Sequence, residues 1–149
     1  MNFQDQLNSK LKSAMREKNK VALESLRAIK SAMLLLQTQS GAKETPDDTE
    51  ITKLLQKLVK QRKESASIYR GQGRVDLAEP EEAQIAIISQ FLPEQLSPEE
   101  VEKVIDELIQ SVGATTMKDM GKVMGMANKK MAGKADGKLI AEIVKKRLS

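Results

Sequence analysis

Apolar residues return at every third or fourth position along most of this chain, and that spacing lines up one face of a helix where a strand would need strict alternation. Phe3, Leu7, Leu11 and Met15 predict a first helix, with a break marked by Asn19. Ala22, Leu26, Ile29, Met33 and Leu36 predict a second, ended by Ser40-Gly41, and Thr45-Pro46-Asp47-Asp48 opens a third. The third carries Ile51, Leu54, Leu55, Leu58 and Val59 on one face and stops near Gly71-Gln72-Gly73, where glycine permits a tight reversal. A fourth helix starts between Asp76 and Pro80. Either Asp76 caps it with Glu79 three residues on, or Glu79 precedes Pro80 at the first helical position; it buries Ile85, Ile88, Phe91 and Leu92.

The run FLPEQLSPEE is the strongest punctuation. Pro93 disfavours helix at Leu92, and Ser97-Pro98-Glu99-Glu100 supplies a capping serine, a proline at the first helical position and a glutamate at the third. A domain boundary is placed here. Beyond it, Val101, Val104, Ile105, Leu108 and Val112 form a stripe that stops at Gly113. Thr116 with Asp119 resembles a capping box, followed by Met120, Val123, Met124, Ala127 and Met131 on one face and Gly133 as terminator. Asp136 caps a last helix with Leu139, Ile140, Ile143, Val144 and Leu148 inward. The expected fold is all-α and two-part: a four-helix domain over residues 1–92, a linker at 93–96 and a three-helix domain over 97–149.

Composition agrees, because Phe3, Tyr69 and Phe91 are the only aromatics among 149 residues and strands favour aromatic and β-branched side chains. The chain has no cysteine and no histidine, which removes disulfides, thiolate chemistry, Cys/His zinc sites and imidazole acid–base catalysis. No apolar run reaches signal-peptide or membrane-spanning length, so a soluble, cytoplasmic protein without membrane contact is expected.

Charge is uneven. Residues 1–78 carry 15 basic and 9 acidic groups, 79–112 carry 1 and 9, and 113–149 carry 9 and 3. Glu79, Glu81 and Glu82, and Glu99, Glu100 and Glu102, each sit at a predicted helix start, where carboxylates favour the macrodipole; this explains them without catalysis. Gly121, Gly125, Gly133 and Gly137 lack the preceding strand and the spacing of nucleotide-binding loops, so no cofactor and no metal are expected. Gly121 and Gly125, four apart, would instead admit a second backbone. The Gly133–Gly137 turn precedes a helix N-terminus able to hold phosphate, a use that competes with capping by Asp136. The remaining chemistry lies in Lys118, Lys122, Lys129, Lys130, Lys134 and Lys138, which face only Asp119 and Asp136 within residues 118–138. Clustered cations with few carboxylates suit a polyanion. Lys145, Lys146 and Arg147 extend the bias. Lys53, Lys57, Lys60, Arg62, Lys63, Arg70 and Arg74 form a second candidate basic surface. With so few aromatics, recognition would rest on the backbone and shape of structured RNA more than on base stacking.

KQRKES (60–65), GRVDLAEPEE (73–82), FLPEQLS (91–97), MGKVMG (120–125) and GKADGKLI (133–140) together resemble the YqeY family, and the C-terminal part is similar to the tail domain of GatB, the B subunit of the glutamine-dependent aminoacyl-tRNA amidotransferase. Pro80 and Gln84 depart from the family's usual Lys and Glu. The resemblance implies a four-helix domain followed by a three-helix domain that contacts tRNA, with Lys122 through Lys138 matching the tail's basic helix and turn. A carbon–nitrogen ligase activity with glutamine as nitrogen donor is implied only as a label, since the amidotransferase's catalytic parts have no counterpart here. The expectation is a non-catalytic accessory protein that binds tRNA or another structured RNA and works beside an enzyme of aminoacyl-tRNA synthesis. Its rival is a protein–protein adaptor that uses an interdomain groove edged by acidic residues 79–107.

Overall fold

The computed structural model describes residues 2–39 and 46–149. Among them the chain is all-α: α1 (Phe3–Glu17), α2 (Lys20–Gln39), α3 (Asp48–Gly71), α4 (Val75–Ser89), α5 (Pro98–Val112), a 3-10 turn (Met117–Asp119), α6 (Met120–Lys130) and α7 (Gly137–Leu148), with no strand. Ser40, Gly41 and Thr45, read as the end of one helix and the start of the next, lie outside the described residues.

Contacts divide the chain into two compact units, Met1–Leu92 and Pro93–Ser149. In the first, α3 and α4 form a hairpin, α2 lies against α4, and α1 lies against α2. Leu7, Ala14, Leu26, Ile29, Met33, Ile51, Leu55, Val59 and Ile88 are the buried centre. The ring of Phe3 meets that of Phe91 edge-on at 5.4 Å, with the Lys10 ammonium 5.2 Å from the Phe91 ring centre, so the start of α1 and the residues after α4 close one end of this core. Asn2 caps α1 and Asp47 caps α3, each accepting an N–H three residues on at 2.8 Å.

Two features depart from the sequence expectation. Met15 is 59% exposed and Ala14, at 4%, takes its place in the core. Helix α4 begins at Val75, before either expected start, and Pro80 sits inside it. The reason lies in the preceding turn. Gly73, at φ +73°, lets Arg74 N–H reach back to Tyr69 O (2.8 Å) and its own N–H reach Arg70 O (3.1 Å), a left-handed cap that delivers the chain directly into α4. Fully buried Ala78 then anchors the helix ahead of the proline.

In the second unit α5, α6 and α7 pack on one another around Val101, Ile105, Leu108, Val123, Ala127, Met131, Ile140, Ile143, Val144 and Leu148. The Ser97–Glu100 capping box is formed in both directions, each bond 3.2 Å. Gly113, at φ +68°, ends α5 as read from the sequence.

Candidate nucleic-acid interface

Helix α6 turns its buried residues Val123 and Ala127 toward the core, continued by Met131. At 100° per residue the opposite side belongs to Gly121, Lys122, Gly125 and Lys129. All four are exposed, as are Lys118, Lys130, Lys134 and Lys138. Among the described residues none of these six lysines forms an ion pair with a carboxylate. The segment therefore presents six charges to solvent.

Local structure fixes where they stand. The expected capping box is shifted: Thr116 Oγ1 accepts the Lys118 N–H at 3.4 Å, while Asp119 Oδ2 reaches back to the Thr115 N–H at 3.1 Å, so a 3-10 turn precedes α6. After α6, Gly133 at φ +75° reverses the chain and the Lys134 N–H donates to Met131 O at 2.9 Å. Asp136 Oδ1 accepts the Lys138 N–H at 3.3 Å and caps α7. Of the two competing uses of this helix start, the carboxylate cap is the one formed. The turn is fastened from outside as well. Leu96 N–H donates to Lys134 O at 2.9 Å, and Gln95 Nε2 donates both to Gly133 O at 2.7 Å and to Pro93 O at 2.8 Å.

The positions of the lysines separate two kinds. Lys129 and Lys130 lie in the last turn of α6, where a cation favours the helix dipole. Lys122 and Lys138 lie in the first turns of α6 and α7, which contain no acidic residue beyond the N-cap residues Asp119 and Asp136, and there the dipole opposes them. Gly121 and Gly125 were expected to admit a second backbone. Among the described residues no other segment comes near: a Cβ built on either would meet nothing within 4 Å outside its own helix turn. They leave a low, open strip between Lys122 and Lys129.

Of the second basic surface, Arg70 and Arg74 are paired with carboxylates. Arg70 Nε makes bonds of 3.1 and 3.0 Å to both carboxylate oxygens of Glu82, which hold that carboxyl below its ordinary range and raise the guanidinium in turn. Arg74 donates from Nε to Asp76 Oδ1 at 3.1 Å and from Nη2 to Oδ2 at 3.0 Å, and likewise holds that carboxyl below its ordinary range. Arg62 is half-buried and bonded to Gln84 Oε1 and Leu58 O, and Lys60 is also engaged. Lys53, Lys57 and Lys63 are exposed on α3. In the second unit Arg147 bonds Asp106 at 2.8 Å, with Glu102 nearby, and so ties α7 to α5. Glu99 and Glu100 lie in the first turn of α5, Glu82 pairs with Arg70 and Glu102 lies near Arg147, whereas Glu79 and Glu81 fall inside α4, because that helix begins at Val75 and not at the expected start. Among the described residues no group of three or more His, Cys, Asp or Glu could hold a metal ion, and no helix is long and apolar enough to cross a membrane.

What sequence reasoning missed is the support: Gln95 and Leu96 were assigned to a linker, yet they grip the basic turn. FLPEQLS and GKADGKLI, the two motifs concerned, give no one-dimensional sign that they meet.

The chain matches the Yqey-like protein family over residues 4–148. It is 35% identical over 132 residues, 87% of this chain and 71% of the relative, to altered inheritance of mitochondria protein 41, mitochondrial, of Pyrenophora tritici-repentis. An uncharacterised protein of Schizosaccharomyces pombe is 33% identical over 96 residues, 64% of this chain and 76% of that one. A glutamyl-tRNA(Gln) amidotransferase subunit of Thermococcus gammatolerans is 44% identical over 57 residues, which is 36% of this chain but only 9% of that protein. Matched along nearly its whole length, the chain belongs to the Yqey-like protein family.

Proposed function

We propose that this protein is a non-catalytic accessory module that binds structured RNA, tRNA above all, through the surface built by α6, the 133–136 turn and the start of α7. The observation that carries this reading is the set of six exposed lysines without carboxylate partners among the described residues, two of them at helix starts that disfavour cations. A polyanion compensates both the mutual repulsion and the unfavourable dipole. The open glycine strip between Lys122 and Lys129 leaves room for a sugar–phosphate backbone to lie close to the helix. The amidotransferase relative supports the choice of RNA, since its name gives a tRNA-linked activity to a protein that shares a stretch with this chain. With Phe3, Tyr69 and Phe91 as the only aromatics, contacts to phosphates and helical shape replace base stacking. An enzyme of aminoacyl-tRNA synthesis is the partner that such a module would serve.

The test is binding of the full-length protein to total tRNA and to a duplex RNA of equal length, each at low and near-physiological salt. The expected result is salt-sensitive binding that favours folded tRNA. Binding that is equally weak for both, or indifferent to salt, would overturn the proposal and favour a protein partner.

A further inference from the structure

Residues 93–96 follow the first unit's last helix and carry no charge except Glu94. Their polar groups nevertheless converge on one place. The Gln95 amide donates to the Gly133 carbonyl, 38 residues away, at 2.7 Å, and is itself held by Pro93 O at 2.8 Å. The next residue's N–H takes the adjoining carbonyl, that of Lys134, at 2.9 Å. Two consecutive carbonyls of the basic turn are thus satisfied by two consecutive residues of this segment. Gly133 is the left-handed residue that sets the direction of the turn, and Lys134 and Lys138 follow it in the chain. The Lys134–Met131 bond and the Asp136 cap also hold the reversal between α6 and α7.

From this geometry we infer that Gln95 is a positioning residue for the RNA-binding surface: its side-chain amide fixes the 133–134 turn and thereby the direction in which Lys134 is offered to the phosphate backbone. Its fork suits the task, because one NH2 group bridges a carbonyl of its own segment to a carbonyl of the turn. The assignment rests on the RNA-binding reading above. It adds to that reading an uncharged residue, outside the lysine-rich segment, on which affinity depends.

A double-mutant cycle tests it, with tRNA affinity measured for the full-length protein, Gln95→Ala, Lys134→Gln and the pair, and a second cycle that replaces Lys134→Gln by Lys122→Gln. Gln95 is exposed, so its truncation leaves the core intact. Gln95→Ala should weaken tRNA binding by about fivefold, as expected for losing the one hydrogen bond it makes to the turn. It should weaken binding little further once Lys134 is already neutral, and by the full factor in the Lys122→Gln background. In the free protein, amide hydrogen exchange at Lys134 should quicken in Gln95→Ala. Equal losses in both lysine backgrounds, or an unchanged exchange rate, would overturn the positioning role and leave the lysine surface standing. If neither lysine substitution altered affinity, the RNA reading would fall, and the positioning role with it.

Discussion

Lys18 adopts φ +56°, a left-handed conformation that costs a non-glycine residue about 1 kcal/mol. It does so in the same cap that Gly73 and Gly113 form. Asn19 N–H reaches Ala14 O at 3.0 Å and Lys18 N–H reaches Met15 O at 3.3 Å, just as Ala114 and Gly113 reach Ile109 and Gln110. The turn is retained because Asn19 Oδ1 then caps α2 through the Ala22 N–H at 3.1 Å. Lys18→Gly should therefore raise the stability of the protein by about 0.5–1 kcal/mol, read as a higher urea midpoint at unchanged slope. A lowered midpoint would mean that the lysine side chain contributes more than its backbone strain removes. Gly73 and Gly113 were legible because glycine advertises this cap; Lys18 was not. Met15 shows a second limit. Steps of four residues drift by about 40° each on a helix, so the fourth member of the stripe has left the buried face, and Ala14, seven after Leu7, falls back onto it.

Helices were legible wherever apolar spacing and capping chemistry agreed, as in α5, where Ser97, Glu100 and Gly113 hold the positions expected of them. They were misplaced where a rule competed with a turn. Pro80 suggested a first position, yet it lies in the second turn of α4, where it leaves the Asp76 carbonyl without its usual donor. Helix α6 adds an electrostatic point that counting lysines could not supply. Lys122 and Lys138 oppose the dipoles of their helices, whereas Lys129 and Lys130 favour theirs. Neutralising either of the first pair to Gln should thus stabilise the folded protein by a few tenths of a kcal/mol and at the same time weaken tRNA binding. Thermal midpoints and affinities measured on the same samples check both signs. Loss of stability together with loss of binding would mean that these lysines serve the fold and not a ligand.

Across the whole molecule, the sum of charges was visible in the sequence, but which charges are free was not. Arg70 and Arg74 counted toward a secondary basic surface until their carboxylate partners Glu82 and Asp76 were located, while Arg62 bonds the neutral amide of Gln84. Within Pro93–Ser149 the acids gather on α5 and the bases on the 3-10 turn, α6, α7 and the loop between them, and Arg147 joins the two through Asp106. On the RNA reading proposed above, this separation of charge would orient the polyanion before contact. The likeness to the amidotransferase covers a short stretch of a much longer protein, so the exposed cations themselves carry the weight. The most direct test compares the salt dependence of tRNA binding for the native protein and for a variant with Lys122, Lys129, Lys130 and Lys134 all changed to Gln. Each phosphate contact contributes slightly under one unit to the slope of log affinity against log salt, so the variant should bind far more weakly with a slope reduced by about three. An affinity and a slope that both matched the native protein would contradict the proposed surface.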